Sequence, residues 1–324
     1  MIVRWGLSAL PAILGEIGSS APLVVTTRRW RDLELPASQR FLGVRPHAGR
    51  AGAEGAIEAA GAADALVPVG GGSAIDTAKA VSAATGLPVI SIPTTYSGAE
   101  WTAFYGVRDE EARRKGGGAG ARLAGIVYEP ELTISLPRAE SGGTALNALA
   151  HCAEALYVAG RTDEGDREAL AGARLIAGWL PRVLADGDDP EARRNLLEGA
   201  MHAGAALGAA GLGLGHAMAQ ALGGRYGLPH GALNALCLPP ALRFNEPAAP
   251  GALAALGDAI GAADPAERMR ALARLAGFER LRELGVPEDE LDLVAEQTSV
   301  RAGARANPRQ ASPAEIAVLL RSIW

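Results

Sequence analysis

The segment from Val67 to about Ala84 constrains the fold of this chain more than any other. An apolar run ends at Val69, three glycines follow, and a helical pattern begins at Ser73. A strand, a glycine turn and a helix N-terminus form a cradle for a phosphate, because glycine lets the backbone approach the anion and the first N–H groups of the helix point towards it. We therefore predict that the phosphate is bound by Gly70, Gly71, Gly72 and Ser73.

Short apolar runs alternate with helical patterns around this cradle. Strands are predicted at 22–27, 41–44, 65–69, 88–92 and 124–128, and helices at 51–60 and 73–84. Such alternation is typical of a parallel sheet with helical crossovers. The first part of the chain is therefore predicted to be a Rossmann-like α/β domain, although its glycine turn follows a later strand and lacks the G-x-G-x-x-G pattern.

Three residues with hydroxyl groups follow the strand at 88–92, namely Thr94, Thr95 and Tyr96. Ligands of open α/β sheets bind beyond the carboxyl ends of the strands, so these hydroxyls are predicted to face the same crevice as the cradle. A polar turn that only caps the strand is the alternative. The charged stretch 108–122 is predicted to be a solvated hairpin or flap.

Strand patterns nearly vanish after Pro137, and helical patterns continue to Trp324. The boundary is therefore predicted between Leu136 and Ser141, with an α/β domain at 1–137 and an all-helical domain at 138–324. The stretch 201–224 carries no charged residue, but it is mostly Ala and Gly and contains two histidines. It is predicted to form packed interior helices rather than a membrane span.

The charge balance and the cysteines exclude several classes of protein. With 31 basic against 36 acidic residues the net charge is −5, which gives no electrostatic footprint for nucleic acid. Cys152 and Cys237 lie far apart in apolar surroundings, which argues against a disulfide framework and fits a reducing cytoplasm. The first residues lack the long apolar region of a signal peptide. We expect a cytoplasmic protein that binds neither nucleic acid nor a membrane.

Four of the five histidines fall in the helical half, at His151, His202, His216 and His230. Asn147 and His151 are four residues apart in a helical segment and share a face, as do His216 and Gln220. Each histidine alone is compatible with a packing or surface role. Together they indicate a site for a metal ion or for proton transfer.

Five segments, in this order, resemble the iron-containing alcohol dehydrogenase superfamily and, within it, the maleylacetate reductases. They are GGGSAIDTAK (70–79), IPTTYSGAEWT (92–102), IVYEPELT (126–133), GGTALNALAHCAEALY (142–157) and GLGLGHAMAQALGGRYGLPHGALNALCLPP (211–240). The resemblance implies the two-domain fold of dehydroquinate synthase-like proteins. It also implies a dimer with the N-terminal strands involved.

For the cofactor, the resemblance implies that the cradle binds the pyrophosphate of NADH or NADPH. Asp76 would face the cofactor, Thr94, Thr95 and Tyr96 would contact its adenosine and ribose side, and Lys115 would reach the nicotinamide ribose. Strongly NAD-selective members have an acid where this chain has Thr27. Since a carboxylate there would repel a 2′-phosphate, we expect this chain to tolerate NADPH.

The resemblance also bears on whether the reaction needs a metal ion. Metal-dependent members bind iron or zinc through one Asp and three His; the histidines match His151, His216 and His230, but Asn147 stands at the Asp position. The same exchange is found in maleylacetate reductases, which work without a metal, so we predict metal-independent hydride transfer. Hydride delivered to a ketone carbon leaves negative charge on its oxygen. His216 and His230 are the candidates for donor and acid, and Asn147 and His151 would shape the pocket.

The substrate is expected to be a small oxo-carboxylate, with maleylacetate, reduced to 3-oxoadipate, as the best match. Arg225 is a candidate ligand for a substrate carboxylate, and a surface position is its alternative. Gln220 stands where the family usually has a further histidine. Three other functions remain open: a metal-dependent alcohol or polyol dehydrogenase, a dehydroquinate synthase-like lyase, and a binder without activity.

Overall fold

The computed structural model describes residues 1–37, 39–109 and 111–324, without the side chain of Lys115. The chain forms two compact units. The first comprises Met1–Thr95 and Ala99–Thr133, and the second comprises Tyr96–Gly98 and Ile134–Trp324. The main passage between them lies slightly before the predicted boundary. The tripeptide Tyr96–Gly98, which the sequence placed with the first domain, belongs to the second unit.

The first unit is built on a parallel sheet of six strands in the order β1-β8-β5-β4-β2-β3, with a separate antiparallel hairpin of β6 and β7. Its strands are β1 (Ile2–Trp5), β2 (Pro22–Thr26), β3 (Gln39–Phe41), β4 (Ala65–Gly70), β5 (Pro88–Pro93), β6 (Tyr105–Asp109), β7 (Arg114–Gly118) and β8 (Arg122–Tyr128). Its helices are α1 (Leu10–Glu16), α2 (Arg50–Ala59) and α3 (Gly72–Thr85), and the short α4 (Glu131–Ile134) leads into the second unit.

Both faces of this sheet are buried, because successive side chains of a strand point to opposite sides. One face carries Leu23, Val25 and Leu66, which pack with the apolar side of α3. The other face carries Val24, Val67 and Ile90, which pack against α1. Each such side chain contributes about 1.5–3 kcal/mol on full burial. This double burial explains why the strands appear in the sequence as continuous apolar runs.

The predicted fold class of this half is confirmed. Four of the five predicted strands form close to the predicted positions, whereas the strand predicted at 41–44 lies at Gln39–Phe41. The charged stretch after 108 belongs to the hairpin of β6 and β7. The sequence analysis missed β1 and α1. With four residues, one of them the exposed Arg4, β1 is too short for the alternation of a strand to stand out.

Among the residues that the structure describes, the regular elements of the second unit are all helices, as predicted. They are α5 (Arg138–Ala155), α6 (Asp163–Ala185), α7 (Pro190–Ala210), α8 (Leu214–Tyr226), α9 (His230–Asn245), α10 (Pro250–Ile260), α11 (Pro265–Leu275), α12 (Leu291–Ser299), α13 (Ala302–Ala306) and α14 (Pro313–Ser322). None of the described helices is long and apolar enough to cross a membrane.

Helix α5 lies at the centre of this unit, and small residues let its neighbours approach closely. Gly143 of α5 faces Gly231 of α9 so closely that a Cβ on Gly231 would overlap the Gly143 backbone. Close backbone contact at this pair brings the following turns of α5 and α9 together. Those turns carry Asn147 and Asn234.

A buried arginine fixes the tripeptide Tyr96–Gly98 to the second unit. Arg193 is 2% exposed. Its guanidinium donates to Tyr96 Oη at 3.1 Å and to Ser141 Oγ at 2.7 Å, and it also reaches backbone carbonyls around 134–136 and at 187. A buried guanidinium must have its donors satisfied, so this network holds the tripeptide firmly in place.

Candidate active site

The glycine turn closes β4 and opens α3. Gly70 has a φ of +150°, and a Cβ at Gly71 would lie 2.8 Å from Thr95 Cγ2. Gly72 is the first residue of α3, and Ser73 Oγ accepts the N–H of His47 at 2.9 Å. No side chain in the described part of the chain caps the N-terminus of α3. Its first N–H groups can therefore meet an anion, as predicted for a phosphate cradle.

Thr94 and Thr95 follow the carboxyl end of β5 beside this turn. The Thr94 N–H donates to Gly70 O at 3.0 Å. Thr95 Oγ1 is buried without a hydrogen-bond partner and faces the space beside Gly71. Since an unpaired buried hydroxyl is costly, Thr95 is well suited to bind a cofactor oxygen. Thr27 lies just beyond β2 at the same edge of the sheet, and its effect on cofactor choice stays a prediction.

Asp76 has two hydrogen-bond partners within the first unit. One oxygen of its carboxylate pairs with Lys79 Nζ at 2.7 Å, and the other accepts the Gly106 N–H at 3.1 Å. Lys79, almost fully buried, also donates to the carbonyls of Ala99 and Phe104. The pair anchors the chain between β5 and β6 to α3. Asp76 therefore has a structural role in the first unit, and its predicted contact with the cofactor stays a prediction.

Two further predicted cofactor residues have different outcomes. Tyr96 is wholly buried in the second unit, where its hydroxyl accepts from Arg193 and its N–H faces Thr144 Oγ1 at 3.4 Å. Its side chain packs that unit and is not presented to a cofactor, which corrects the prediction. The backbone of Lys115 lies opposite Arg108 in the hairpin. Its side chain lies outside the described residues, so its contact with the nicotinamide ribose stays a prediction.

In the second unit, three helices bring three of the predicted histidines together. His151 comes from α5, His216 from α8 and His230 from α9. The rings of His151 and His216 stack with centroids 4.4 Å apart and planes 14° apart, and those of His216 and His230 lie 5.9 Å apart. The spacing-based prediction of a common pocket is confirmed for these side chains. His202 lies elsewhere on α7 and pairs with Glu168 at 2.6 Å.

Two side-chain amides link this histidine cluster. Asn147 Nδ2 donates to Ser97 O at 3.1 Å and lies 2.9 Å from His151 Nε2. Asn234 Nδ2 donates to Asn147 Oδ1 at 2.7 Å and lies 3.0 Å from His230 Nε2. A backbone carbonyl can only accept, so the atom of Asn147 that faces Ser97 is the amide nitrogen. Both amides then donate to an imidazole Nε2.

The surroundings of His151 favour its neutral form. Its Nε2 lies 2.9 Å from the Asn147 amide and 3.3 Å from Ser97 O, and its Nδ1 is buried without a partner. Burial, together with neighbouring His216, holds the pKa of His151 well below its usual value. His151 is therefore a neutral imidazole near pH 7, and it is unsuited to be the proton donor.

His216 has a different partner. Its Nδ1 lies 2.7 Å from the carboxylate of Glu154, and both side chains are completely buried. Its Nε2 is buried without a hydrogen-bond partner. The ring therefore has one nitrogen fixed by a carboxylate and the other available to a ligand.

Arg225 does not join the cluster. Its Nε donates to Glu290 Oε2 at 2.6 Å, and Tyr226 Oη donates to the same oxygen. Along α8, Arg225 lies about 13–14 Å from His216 at 1.5 Å per residue. The ion pair and this distance correct the prediction that Arg225 binds substrate beside the histidines. Gln220 lies one turn after His216 and is partly exposed.

The residues at the family's metal position lack the anionic ligand that a divalent cation favours. In the described part of the chain, no group of three or more His, Cys, Asp or Glu side chains is arranged as metal ligands. Asn147 supplies a neutral amide in place of a carboxylate, and its oxygen is taken by Asn234. The Nε2 lone pairs of His151 and His230 face amide N–H groups. The side chains of Asn147, Asn234 and two of the histidines thus contact one another, whereas His216 Nε2 has no hydrogen-bond partner.

The sequence analysis missed four residues of these networks: Ser97, Glu154 and Asn234 in the second unit and Lys79 in the first. Glu154 and Lys79 share one signal, a charged residue on a helix whose neighbours are nearly all apolar. Since burying a charge is costly, such a residue must have a partner. That signal indicates a network but not which residue completes it.

Known proteins resemble this chain over nearly its whole length. The family model "Iron-containing alcohol dehydrogenase" matches residues 4–124, and the model of the family's C-terminal part matches 142–324. The chain is 35% identical to maleylacetate reductase from Burkholderia cepacia, covering 99% of this chain and 95% of that protein.

Two solved structures show the same likeness. Maleylacetate reductase from Rhizobium sp. strain MTP-10005 superposes with a TM-score of 0.90 at 31% identity, covering 100% of this chain and 95% of that one. Iron-containing alcohol dehydrogenase from Corynebacterium glutamicum superposes with a TM-score of 0.90 at 30% identity, covering 100% and 94%.

The close approach of Gly71 to Thr95 generates a test of the cradle. In Gly71→Ala the new methyl group would lie 2.8 Å from Thr95 Cγ2. It would therefore displace Thr95, which lies beside the predicted phosphate position. We expect the Kd for NADH or NADPH, measured by fluorescence titration, to rise about tenfold or more. A tenfold rise corresponds to a loss of about 1.4 kcal/mol of binding free energy. Gly15→Ala is the control, because a Cβ there has no neighbour within 4 Å. Unchanged cofactor affinity in Gly71→Ala would rule out this cradle.

Proposed function

Because this chain belongs to the iron-containing alcohol dehydrogenase family, we propose that it is an NAD(P)H-dependent reductase of a small oxo-carboxylate, with maleylacetate as substrate. The chain is an oxidoreductase of that family. The observation that supports the finer proposal is the set of hydrogen bonds around Asn147, where an amide stands at the position of the metal-binding acid. The similarity to maleylacetate reductases supports the substrate.

The first unit would hold the cofactor. Gly70, Gly71 and Gly72 would bind the pyrophosphate through backbone N–H groups, and Thr95 Oγ1 would donate to an oxygen beside them. The bound nicotinamide supplies a hydride to an electrophilic carbon of the substrate. Binding through the backbone leaves the choice between NADH and NADPH to residues such as Thr27, at the end of β2.

The second unit would supply the groups that act on the substrate oxygen. His216 is the candidate proton donor, because its Nε2 is free and the Glu154 carboxylate can balance the charge of a doubly protonated ring. His151 is neutral and packs against it. His230 is oriented by Asn234 and is the second candidate donor to the oxygen.

The chemistry of maleylacetate refines where the hydride goes. Conversion to 3-oxoadipate keeps the ketone and reduces the conjugated carbon–carbon double bond. The hydride must therefore add to the carbon β to the ketone, the negative charge collects on the ketone oxygen as an enolate, and a proton completes the α carbon. For this substrate the expectation of hydride delivery to the ketone carbon is wrong, but the oxygen still needs the hydrogen-bond donors.

Hydrogen bonds would do what a metal does elsewhere in the family. Developing charge on the oxygen can be stabilised by donors that are already oriented, without a Lewis acid. We propose metal-independent catalysis because Asn147 supplies no anionic ligand and its amide is hydrogen-bonded to Asn234 and faces His151 Nε2. A metal-dependent alcohol or polyol dehydrogenase is the second candidate, favoured by the three histidines that the structure brings together.

The test is turnover of maleylacetate by protein dialysed against a strong chelator. We expect oxidation of NADH or NADPH at the rate of undialysed protein, and 3-oxoadipate as product. His216→Gln should lower kcat by roughly 10²–10⁴-fold, the usual contribution of a positioned acid. His202→Gln is the matched control, because His202 pairs with a carboxylate outside the cluster.

Two results would contradict the proposal. Activity that is lost on dialysis and restored by zinc or iron would establish the metal-dependent alternative. If neither NADH nor NADPH is oxidised with maleylacetate, maleylacetate is excluded as the substrate. A screen of alcohols and polyols would follow.

We also propose that the protein is a homodimer. Strand β1 lies at the edge of the sheet, where its free side can pair with a strand of a second copy. Light scattering should then give twice the chain mass of 33.1 kDa. A mass equal to one chain would disprove the dimer.

A further inference from the structure

A buried carboxylate lies beneath His216, and its contacts with the protein go beyond balancing the charge of that ring. Glu154 lies one turn after His151 on α5, and its side chain has no exposure to solvent. Its Oε2 accepts from His216 Nδ1 at 2.7 Å and from the Gly213 N–H at 2.6 Å, and its Oε1 accepts the His216 N–H at 3.1 Å. Three N–H groups around the start of α8 therefore converge on one carboxylate.

This arrangement is compatible with a charged carboxylate despite its burial. Gly213 is the N-cap of α8, and His216 is in its first turn, where backbone N–H groups have no partner within the helix. The positive end of the helix dipole also favours an anion at this position. Charge-assisted hydrogen bonds of this kind are about twice as strong as neutral ones. Glu154 thus fixes the first turn of α8, and with it the backbone of His216.

The glycines before His216 are explained by the same carboxylate. A Cβ at Gly213 would lie 3.0 Å from Glu154 Cδ, and a Cβ at Gly215 would lie 3.0 Å from Glu154 Oε1. Both contacts are tighter than ordinary van der Waals contact. The repeated glycines of GLGLGH therefore leave room for the Glu154 side chain beneath the helix start. The glycine pattern of this motif therefore has a physical reason.

The ring of His216 is held on two sides. Its Nδ1 is fixed by Glu154, and one face of the ring stacks on His151 at 4.4 Å. Rotation of the ring by half a turn would bury Nδ1 without its partner and place a C–H group against a carboxylate. The Nε2 atom is consequently kept on the side away from Glu154, where it has no partner.

We propose that Glu154 is a positioning residue for the reduction, an inference that rests on the function proposed above. It keeps a proton on Nδ1 of His216 and presents Nε2 to the ketone oxygen of the oxo-carboxylate substrate. A carboxylate that orients a histidine in this way fixes both the tautomer and the direction of the ring. Glu154 itself touches neither substrate nor cofactor, and acts through His216.

The variants Glu154→Gln and Glu168→Gln test the proposal as a matched pair. Both remove the charge of a carboxylate bound to a histidine Nδ1 on the same unit, but Glu168 pairs with His202 outside the cluster. We expect Glu154→Gln to lower kcat with maleylacetate at least 100-fold, while KM changes less than threefold and the cofactor Kd stays the same. Glu168→Gln should keep the wild-type kcat. A wild-type kcat in folded Glu154→Gln would overturn the proposal.

Gly215→Ala is a second variant, in which Glu154 itself is unchanged but its position is disturbed. Alanine favours the helix more than glycine does, so a loss of helix stability is not expected from the exchange itself. The new methyl group displaces Glu154 Oε1, and we expect kcat to fall at least tenfold. The double variant with Glu154→Gln should be no worse than Glu154→Gln alone, because both changes act through one contact. Fully multiplicative losses would show that Gly215 and Glu154 act separately.

Nitrogen NMR of the wild-type enzyme, labelled with ¹⁵N-histidine, separates this inference from the proposed function. The His216 signals, assigned with His216→Gln, should show a proton on Nδ1 in a strong hydrogen bond. This signature is expected even if maleylacetate is not the substrate. A His216 ring protonated on Nε2 alone would overturn the role of Glu154 whatever the enzyme reduces.

Discussion

The side-chain amide of Asn147 determines what the buried cluster of the second unit can do. Its nitrogen donates to Ser97 O and faces His151 Nε2, and its oxygen accepts from Asn234. A carboxylate at this position could donate to none of these groups and would face the Ser97 carbonyl with like charge. The amide carries no charge and gives its own hydrogen bonds a direction. His216 Nε2 lies outside these hydrogen bonds and has no partner.

The helix packing of the second unit is what makes this amide network possible. Gly143 and Gly231 let α5 and α9 come into backbone contact, and Asn147 and Asn234 lie about one turn further along each helix. Helix α8 is fixed separately by Glu154 beneath its first turn. Arg193 fixes the tripeptide that carries Ser97 through Tyr96. Side chains that do not contact the substrate therefore determine the hydrogen-bonding geometry of the cluster.

Sequence patterns predicted those parts of this protein whose residues are contiguous or share one face of a helix. The strand, glycine turn and helix of the cradle are contiguous, and Asn147 and His151 share a helix face because they are four residues apart. The remaining contacts join distant parts of the chain: Glu154 meets His216, Asn234 meets Asn147, and Arg225 meets Glu290. The periodicity of a helix or strand does not show which distant residues will be in contact. Tyr96 and Arg225 were assigned to ligands for the same reason, since the polar group of each has a partner that is far away in the sequence.

The metal content of the wild-type protein and of Asn147→Asp tests the central claim most directly. Each would be loaded with iron(II) or zinc, freed of excess metal by gel filtration, and measured by mass spectrometry of the element. If the amide network defines the site, the wild type retains far less than one metal ion per chain and stays active. Asn147→Asp, which restores the anionic ligand, gains metal and loses the metal-independent rate. One tightly held metal ion per chain in the active wild-type protein would contradict the account.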